Sequence, residues 1–517
     1  MTVYGHQRPA RSGGRPRRGL LTGAVLAAVT ASWAFAAMGA VAALGAHLLG
    51  LDHYVALGPA TAALVALAVG GTVTPSGDLS VFGIQAAGAH GAIGIMPLGV
   101  SFVGALVLGG LFVRPLRRLP VLDPSVLLSR LAGTLVGFLL LLWVVAWSGN
   151  GTVAIKLNSL TGGSGSGGSG GPLGGLGGLG GLIGGVVGNN TQPTVGFRVE
   201  ALPTLGLGLL WALVVLALAV LATRRVPLPY GWGPVRRYVR PVVSAVVTVV
   251  CAAVLAGAVS GIVVGLSGNG GARTVGGVLL GTPNGVFLAV PLGMAVPLNG
   301  KATGPLGRFL PSPVDQLLKG GGGQSITLDR LAQLDGRVWL LPVAVALMLL
   351  AAGVFAAVRT PRPVLPLGAL REAAWAGLRL GVALAVTVPV LLGLGAVSVN
   401  ADLSVFGFSA VGAELSISGN LLAGAGLGLL EGAVFGFLGA LLVRRFAAGE
   451  RMPADPPGPG GPAAGPGAPY DALPGRAPSP PPGTGPSGRP HTSPPPVNPY
   501  SGRPVQQPPP PPAPPNR

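Results

Sequence analysis

The sequence predicts an all-α polytopic membrane bundle: about eight full spans in four hairpins, two further broken or re-entrant segments, and short extracytoplasmic β hairpins forming a cap. Three observations predict it. Half of the 517 residues are apolar and only 9% are charged, where a soluble domain carries about a quarter charged residues; mean hydropathy is +0.66. The apolar residues come in long blocks, such as "LLTGAVLAAVTASWAFAAMGAVAALGAHLLG" and "LLAGAGLGLLEGAVFGFLGALLV". The cations gather in short arginine clusters at the ends of those blocks, where the positive-inside rule puts them. The net charge of +19 therefore belongs to membrane topology and not to a nucleic-acid-binding face.

The clusters order the spans. They are Arg15, Arg17 and Arg18; Arg114, Arg117 and Arg118; Arg224 and Arg225 through Arg236, Arg237 and Arg240; Arg359, Arg362 and Arg371; and Arg444 and Arg445. If all face the cytoplasm, an even number of crossings separates each neighbouring pair. The expected pairs are 20–46 and 96–113, 125–147 and 202–222, 242–266 and 338–358, and 373–397 and 421–443, with both termini cytoplasmic. The basic N-terminus followed by an apolar block resembles a signal peptide, but the block is too long for one and reads as an uncleaved first span.

Two weaker segments, 54–73 and 275–298, contain Pro and Gly and read as re-entrant or partial helices buried against the bundle. As full spans they give ten crossings, which is the alternative. They fall in the first and third hairpins. Residues 20–225 and 237–445 thus read as duplicated halves: span, broken segment, span, basic turn, span, loop, span. The chain is then a basic cytoplasmic N-terminus (1–19), two membrane halves, and a Pro-rich tail (449–517).

The loops opposite the arginine clusters alternate apolar and polar residues in short stretches. These are "DLSVFGIQ", "GAIGIM", "GTVAIKLNSL", "TVGFRVEAL", "QSITLDRL", "DLSVFGFSAV" and "AELSISG". Such alternation marks half-buried strands. The hexapeptide DLSVFG occurs twice, at 78–83 and 402–407, each time in such a loop. Both copies are expected to be strands at the edge of the cap, each paired with another strand. The Gly-rich insertion at 161–192 interrupts the second loop and contains "GGSGG", which lacks the strand–turn–helix setting of a nucleophile elbow. The tail at 449–517 cannot bury a core, so it is expected to be disordered, with polyproline II character, and suited to a proline-recognising cytoplasmic protein.

Chemistry-bearing motifs are sparse. The single Cys251 permits no intrachain disulfide, and no H-E-x-x-H, phosphate-binding loop, zinc spacing or carboxylate pair occurs. No enzyme, cofactor or metal is expected. Glu431 stands near the middle of the last span, where a carboxylate is costly and is usually functional or paired. Beside it Gly428, Gly432 and Gly436 recur every four residues, a stripe that permits close helix packing. Glu431 either carries a coupling proton or lines a substrate path, or it is a packing residue. Asp52 and His53, with His47, cluster at the outer end of the first span as an interface candidate for a metal or a proton, or as helix-end solvation. Arg130 and Arg379 lie within reach of the cytoplasmic interface by snorkelling and receive no role.

The segments "LGPATAALVALAVGGTV" and "MPLGVSFVGALVLGGLFVRPLRR", within a loose likeness over 20–445, resemble the actinobacterial streptophobe family of very hydrophobic membrane proteins. That resemblance implies a multi-pass membrane fold and brings no established activity. The expected function is that of a non-catalytic protein of the plasma membrane, transporter-like or associated with the cell envelope. The alternative is a membrane scaffold or sensor with an outer cap and a partner-binding tail. The lipid bilayer is its first partner.

Overall fold

The computed structural model describes residues 15–76, 78–81, 84–118, 124–154, 194–223, 232–267, 271–303, 324–361, 368–405 and 408–449. Contacts divide the chain into two units, Met1–Met452 and Pro453–Arg517, and every described residue belongs to the first. The Gly-rich insertion at 161–192 and the tail at 450–517 lie outside the described residues.

The first half of the chain folds as α1 (Arg15–Leu49), a short helix α2 (Leu57–Ala68), α3 (Leu98–Leu116), α4 (Pro124–Ser148) and α5 (Ala201–Ala222). The second folds as α6 (Arg240–Ser267), α7 (Gly271–Gly293), a short helix α8 (Leu328–Leu334), α9 (Leu340–Arg359), α10 (Ala369–Gly395) and α11 (Leu421–Gly449). A π-helical turn, Val235–Val239, leads into α6. Among the described residues nine helices are long and apolar enough to cross a membrane: all except α2 and α8. The chain is an integral membrane protein of many helices, as its composition requires.

The eight strong expected spans coincide with α1, α3, α4, α5, α6, α9, α10 and α11. The two weak segments differ from each other. Segment 54–73 yields only the twelve-residue α2, too short to cross. Segment 275–298 yields the continuous 23-residue α7, with Pro283 and Pro291 inside it, and so is not broken as the sequence suggested. Neighbouring helices hold α7 together across its prolines. Along α6 it runs antiparallel, with Val275 at Gly265, Val278 at Gly261 and Val286 at Gly257. Its start packs on the C-terminal end of α1, where Gly45 meets Leu280 and Gly276 meets Leu48. Its middle meets Gly99 at the start of α3, through the Leu279 carbonyl, and Gly395 at the end of α10, through Phe287 and Leu288. Its last residue, Gly293, meets Leu341 and Val345 at the start of α9.

Among the described residues every strand lies on the connection that follows α2, α4, α7 or α10. The strands are β1 (Val73–Ser76), β2 (Asp78–Val81), β3 (Ile84–Gly94), β4 (Gly151–Ala154), β5 (Thr194–Val199), β6 (Leu298–Ala302), β7 (Gln324–Ile326), β8 (Val397–Val405) and β9 (Phe408–Gly419). They form an antiparallel three-stranded sheet, ordered β1-β5-β4, and an antiparallel six-stranded sheet, ordered β2-β3-β8-β9-β6-β7. The arginine clusters mark the other end of the helices: Arg114 closes α3, Arg236 and Arg237 precede α6, Arg359 closes α9, and Arg444 and Arg445 lie in the last turns of α11.

The two sheets share a register. In the first, Val73 pairs with Val199 and Gly151 with Phe197. In the second, Leu298 pairs with Gly419 and Val397 with Ile417. Val73 and Leu298 each stand five residues past a helix, α2 and α7. Val199 and Gly419 each stand two residues before one, α5 and α11. Strands β6-β9-β8 therefore repeat β1-β5-β4 in order, direction and register.

Both copies of DLSVFG enter the six-stranded sheet, as far as their first four residues; 82–83 and 406–407 lie outside the described residues. Both flank β3: Gly88 pairs with Asp78 on one side and Ser404 on the other. The first copy is at an edge, as expected. The second is not, because β8 runs between β3 and β9. The other expected strands hold with adjustments where they are described; "GTVAIKLNSL" is strand at Gly151–Ala154, and its residues 155–160 lie outside the described residues. "QSITLDRL" is strand only to Ile326 and then turns into α8, and β1 and β6 had no alternating signature.

The interior is split in the same way. One core collects Met38, Leu108, Phe112, Phe138, Leu142 and Leu216 from the first-half helices, together with Leu280 of α7. A second collects Met294, Leu349, Leu380, Leu384 and Leu392 from the second half, and a small third joins Ala63 and Ala66 of α2 to Val73, Ala146 and Val199.

Candidate functional site

The polar groups kept inside an apolar bundle are the places to look for function, because each costs energy unless it is satisfied. Glu431 begins the second third of α11, ten residues after Leu421 and so about 15 Å down the helix axis. It is half-buried. It shares a stripe with Leu427 and Phe435, which pack against the second-half core. Among the described residues no hydrogen bond or ion pair reaches it. The flanking glycines act as the sequence suggested: Gly428 meets the Leu384 carbonyl, Gly432 meets Gly381, and Gly436 meets Gly377.

Asp52 and His53 sit in the 3-10 turn Leu51–His53, just past α1. The His47 ring donates from Nδ1 to Asp52 Oδ2 at 2.8 Å, and His53 Nδ1 stands 3.8 Å from Asp52 Oδ1. The hydrogen bond from His47 holds the Asp52 carboxyl below the usual carboxylate range, against the opposing effect of burial. The structure thus brings His47, Asp52 and His53 together and leaves Glu431 elsewhere, on the last helix. Among the described residues no three His, Cys, Asp or Glu side chains converge as a metal site.

Two polar features escaped the sequence. Asn284, buried in α7 between Pro283 and Gly285, accepts from the Leu98 amide (3.1 Å) and donates to the Met96 carbonyl (2.8 Å). One side chain of the second half thereby satisfies two backbone groups at the start of α3 in the first. An Asn beside a Pro in an apolar helix was the available signal. The second feature is a cavity of about 300 Å³ near the arginine end, lined by Leu26, Val29, Trp33, Leu111, Arg114, Arg118 and Arg130, with Thr30 and Pro115. Arg130, given no role from the sequence, faces the same space as Arg114 and Arg118. Only the depth of Arg130 in its helix hinted at this.

Other arginines at that end are committed to structure. Buried Arg240 donates to the carbonyls of Val220 and Thr223. Arg359 Nη1 reaches the Ser244 carbonyl (2.7 Å), Ser244 Oγ (3.0 Å) and Thr248 Oγ1 (3.0 Å). Arg444 pairs with Glu372, and Arg379 lies 4.3 Å above the Tyr238 ring. No family model, curated protein or solved structure matches this chain.

Proposed function

We propose that this protein is an eight-span plasma-membrane scaffold or sensor: two tandem halves, both termini cytoplasmic, jointly presenting an extracytoplasmic β platform. One observation carries the reading. Strand β3 of the first half pairs with β8 of the second over eight residue pairs, so a single six-stranded sheet runs across both halves. A transporter whose halves rock about a central site needs freedom between them; a continuous sheet opposes that motion and favours a fixed outer surface. The eight-span count is supported by α7, whose start packs on the C-terminal end of α1 and whose end leads within five residues into β6 of the six-stranded sheet. Duplication is supported by the shared register of β1-β5-β4 and β6-β9-β8. Both halves run in the same direction, which fits a parallel repeat about an axis along the membrane normal. The streptophobe resemblance belongs to this reading and adds no activity to it. The Pro-rich tail at 449–517 is its cytoplasmic contact for a proline-recognising protein.

A second reading keeps transport, on the strength of Glu431, half-buried and unpaired among the described residues of α11. Cysteine labelling tests the topology in a Cys251→Ala background. Thr72→Cys and Glu200→Cys, at the strand end, are expected to react with an impermeant thiol reagent in intact cells, and Arg117→Cys and Trp232→Cys to resist it. Labelling at Arg117→Cys or Trp232→Cys would overturn the eight-span arrangement. Joining the halves through an Ala89→Cys/Leu403→Cys disulfide then separates the two roles. Partner capture by the platform should survive the bond, and substrate uptake into liposomes that the bond abolishes would replace the scaffold with a transporter.

A further inference from the structure

We propose that the cavity between α1, α3 and α4 at the arginine end is a binding site for one anionic phospholipid, phosphate on the arginines and acyl chain along α1. The inference rests on the membrane placement of the chain but not on the scaffold reading. At about 300 Å³ the cavity is at the small end of the range for ligand sites. It is sized for a head group and the first part of a chain.

Its walls are of two kinds. Arg114 ends α3, Arg118 follows one turn later, and Arg130 comes from the second turn of α4. Three arginine side chains, from the end of α3 and from α4, thus line one space, their apolar stems forming more of its wall than their guanidinium tips. Among the described residues no carboxylate pairs with any of them, whereas Arg444 has Glu372 and Arg240 and Arg359 have carbonyls and hydroxyls. Three like charges around one cavity repel one another, and an anion relieves that repulsion. A phosphodiester suits guanidinium forks because it accepts two parallel hydrogen bonds from each.

The other wall is apolar and opens outward. Leu26, Val29 and Trp33 are exposed at 46%, 46% and 62%. They span two turns of α1, about 10 Å along its axis. This face points away from the protein core, into the space that acyl chains occupy around a membrane helix. A free phosphate ion would use the arginines and leave this wall idle. A zwitterionic lipid would use the wall and bring its own cation to the arginines. An anionic lipid uses both. Basic pockets between membrane helices on the cytoplasmic side are a recurrent way of holding such head groups.

The test uses the full chain, purified in a non-ionic detergent, with lipid adducts read by native mass spectrometry. Phosphatidylglycerol and phosphatidylcholine of matched acyl chains are added separately, and inorganic phosphate is added as a competitor. Phosphatidylglycerol is expected to be retained as a single adduct at least about tenfold more tightly than phosphatidylcholine. Each arginine near an anionic head group contributes roughly fivefold. Arg114→Gln and Arg118→Gln should therefore each lower retention about fivefold, and the triple variant with Arg130→Gln about a hundredfold. Arg371→Gln, at the same end but outside the cavity, should leave retention unchanged. Arg114 and Arg118 are exposed, so their single variants keep the test decisive should Arg130→Gln fail to fold. Equal retention of both lipids overturns the proposal, as does retention unchanged by Arg114→Gln and Arg118→Gln. Displacement of the lipid by equimolar inorganic phosphate also overturns it, in favour of a simple anion site.

Discussion

Gly432→Ala tests the close packing of α10 against α11. The added Cβ would lie 2.7 Å from Gly381 Cα and 3.0 Å from both Gly381 N and Leu384 Cδ1. Carbon atoms settle at about 3.5–4.0 Å, so α10 and α11 must part by roughly an ångström. Two of the three obstructing atoms are backbone, and no rotamer moves them aside. Separation also loosens Gly428 against the Leu384 carbonyl and Gly436 against Gly377 Cα. Overpacking of this kind costs about 1–3 kcal/mol. Gly426→Ala, on the same helix with nothing within 4 Å of the new Cβ, is the control. It carries only the helix-propensity gain, up to about 1 kcal/mol. The two variants are chemically identical, so their difference isolates the contact: about 1–3 kcal/mol, or roughly 5- to 150-fold in the folding equilibrium. The assay is the fraction remaining monodisperse in detergent after a heating series. If Gly432→Ala resists heat as well as Gly426→Ala, the close approach of α10 and α11 is refuted.

Asn284→Ala leaves the Leu98 amide and the Met96 carbonyl without their buried partner and should lower stability by about 2–4 kcal/mol in the same heating series. Ser244→Ala keeps the backbone carbonyl that Arg359 uses but removes the hydroxyl, so a smaller loss of about 1 kcal/mol is expected. Glu414→Gln breaks the 2.6 Å pair with Lys301 in the sheet; both side chains are partly exposed, and the change should stay below about 1 kcal/mol. Asp52 has a lowered pKa in the folded protein, so its contribution is complete above the ordinary carboxylate value and disappears as pH falls through the lowered one. Asp52→Asn should therefore reduce the loss of heat resistance on acidification; an unchanged acid limb would deny the His47–Asp52 contact a stabilising role.

The spans were legible because bilayer thickness imposes a length and arginine clusters mark where each run ends. The 202–222 block is helix Ala201–Ala222, and 125–147 is Pro124–Ser148. Alternation revealed most of the cap strands, since a half-covered sheet imposes a period of two. It missed "VTPS" at β1 and "LNGKA" at β6, short strands whose place is fixed by pairing with β5 and β9 and not by their own pattern. It misjudged only the continuity of 275–298, because two prolines read as breaks, while α7 is continuous and packs against α1, α3, α6, α9 and α10. The candidate residues were legible singly. The His47–Asp52 contact follows from five residues of spacing across a helix end. The union of Arg114, Arg118 and Arg130 does not, because it depends on how α3 and α4 pack beside α1.

The seam between β3 and β8 also sets a timetable for making the protein. Roughly 300 residues of chain separate Ala87 from its partner Val405. At a synthesis rate of about 5–20 residues per second, β3 waits about 15–60 s for β8. The β1-β5-β4 sheet is complete within the first half and closes early. Throughout the delay one edge of β3 is an open row of backbone donors and acceptors, a template for any passing strand. A nascent chain stalled before residue 397 would keep that template exposed. Quality control of this protein therefore has a natural checkpoint: the last hairpin of the chain is what caps the first.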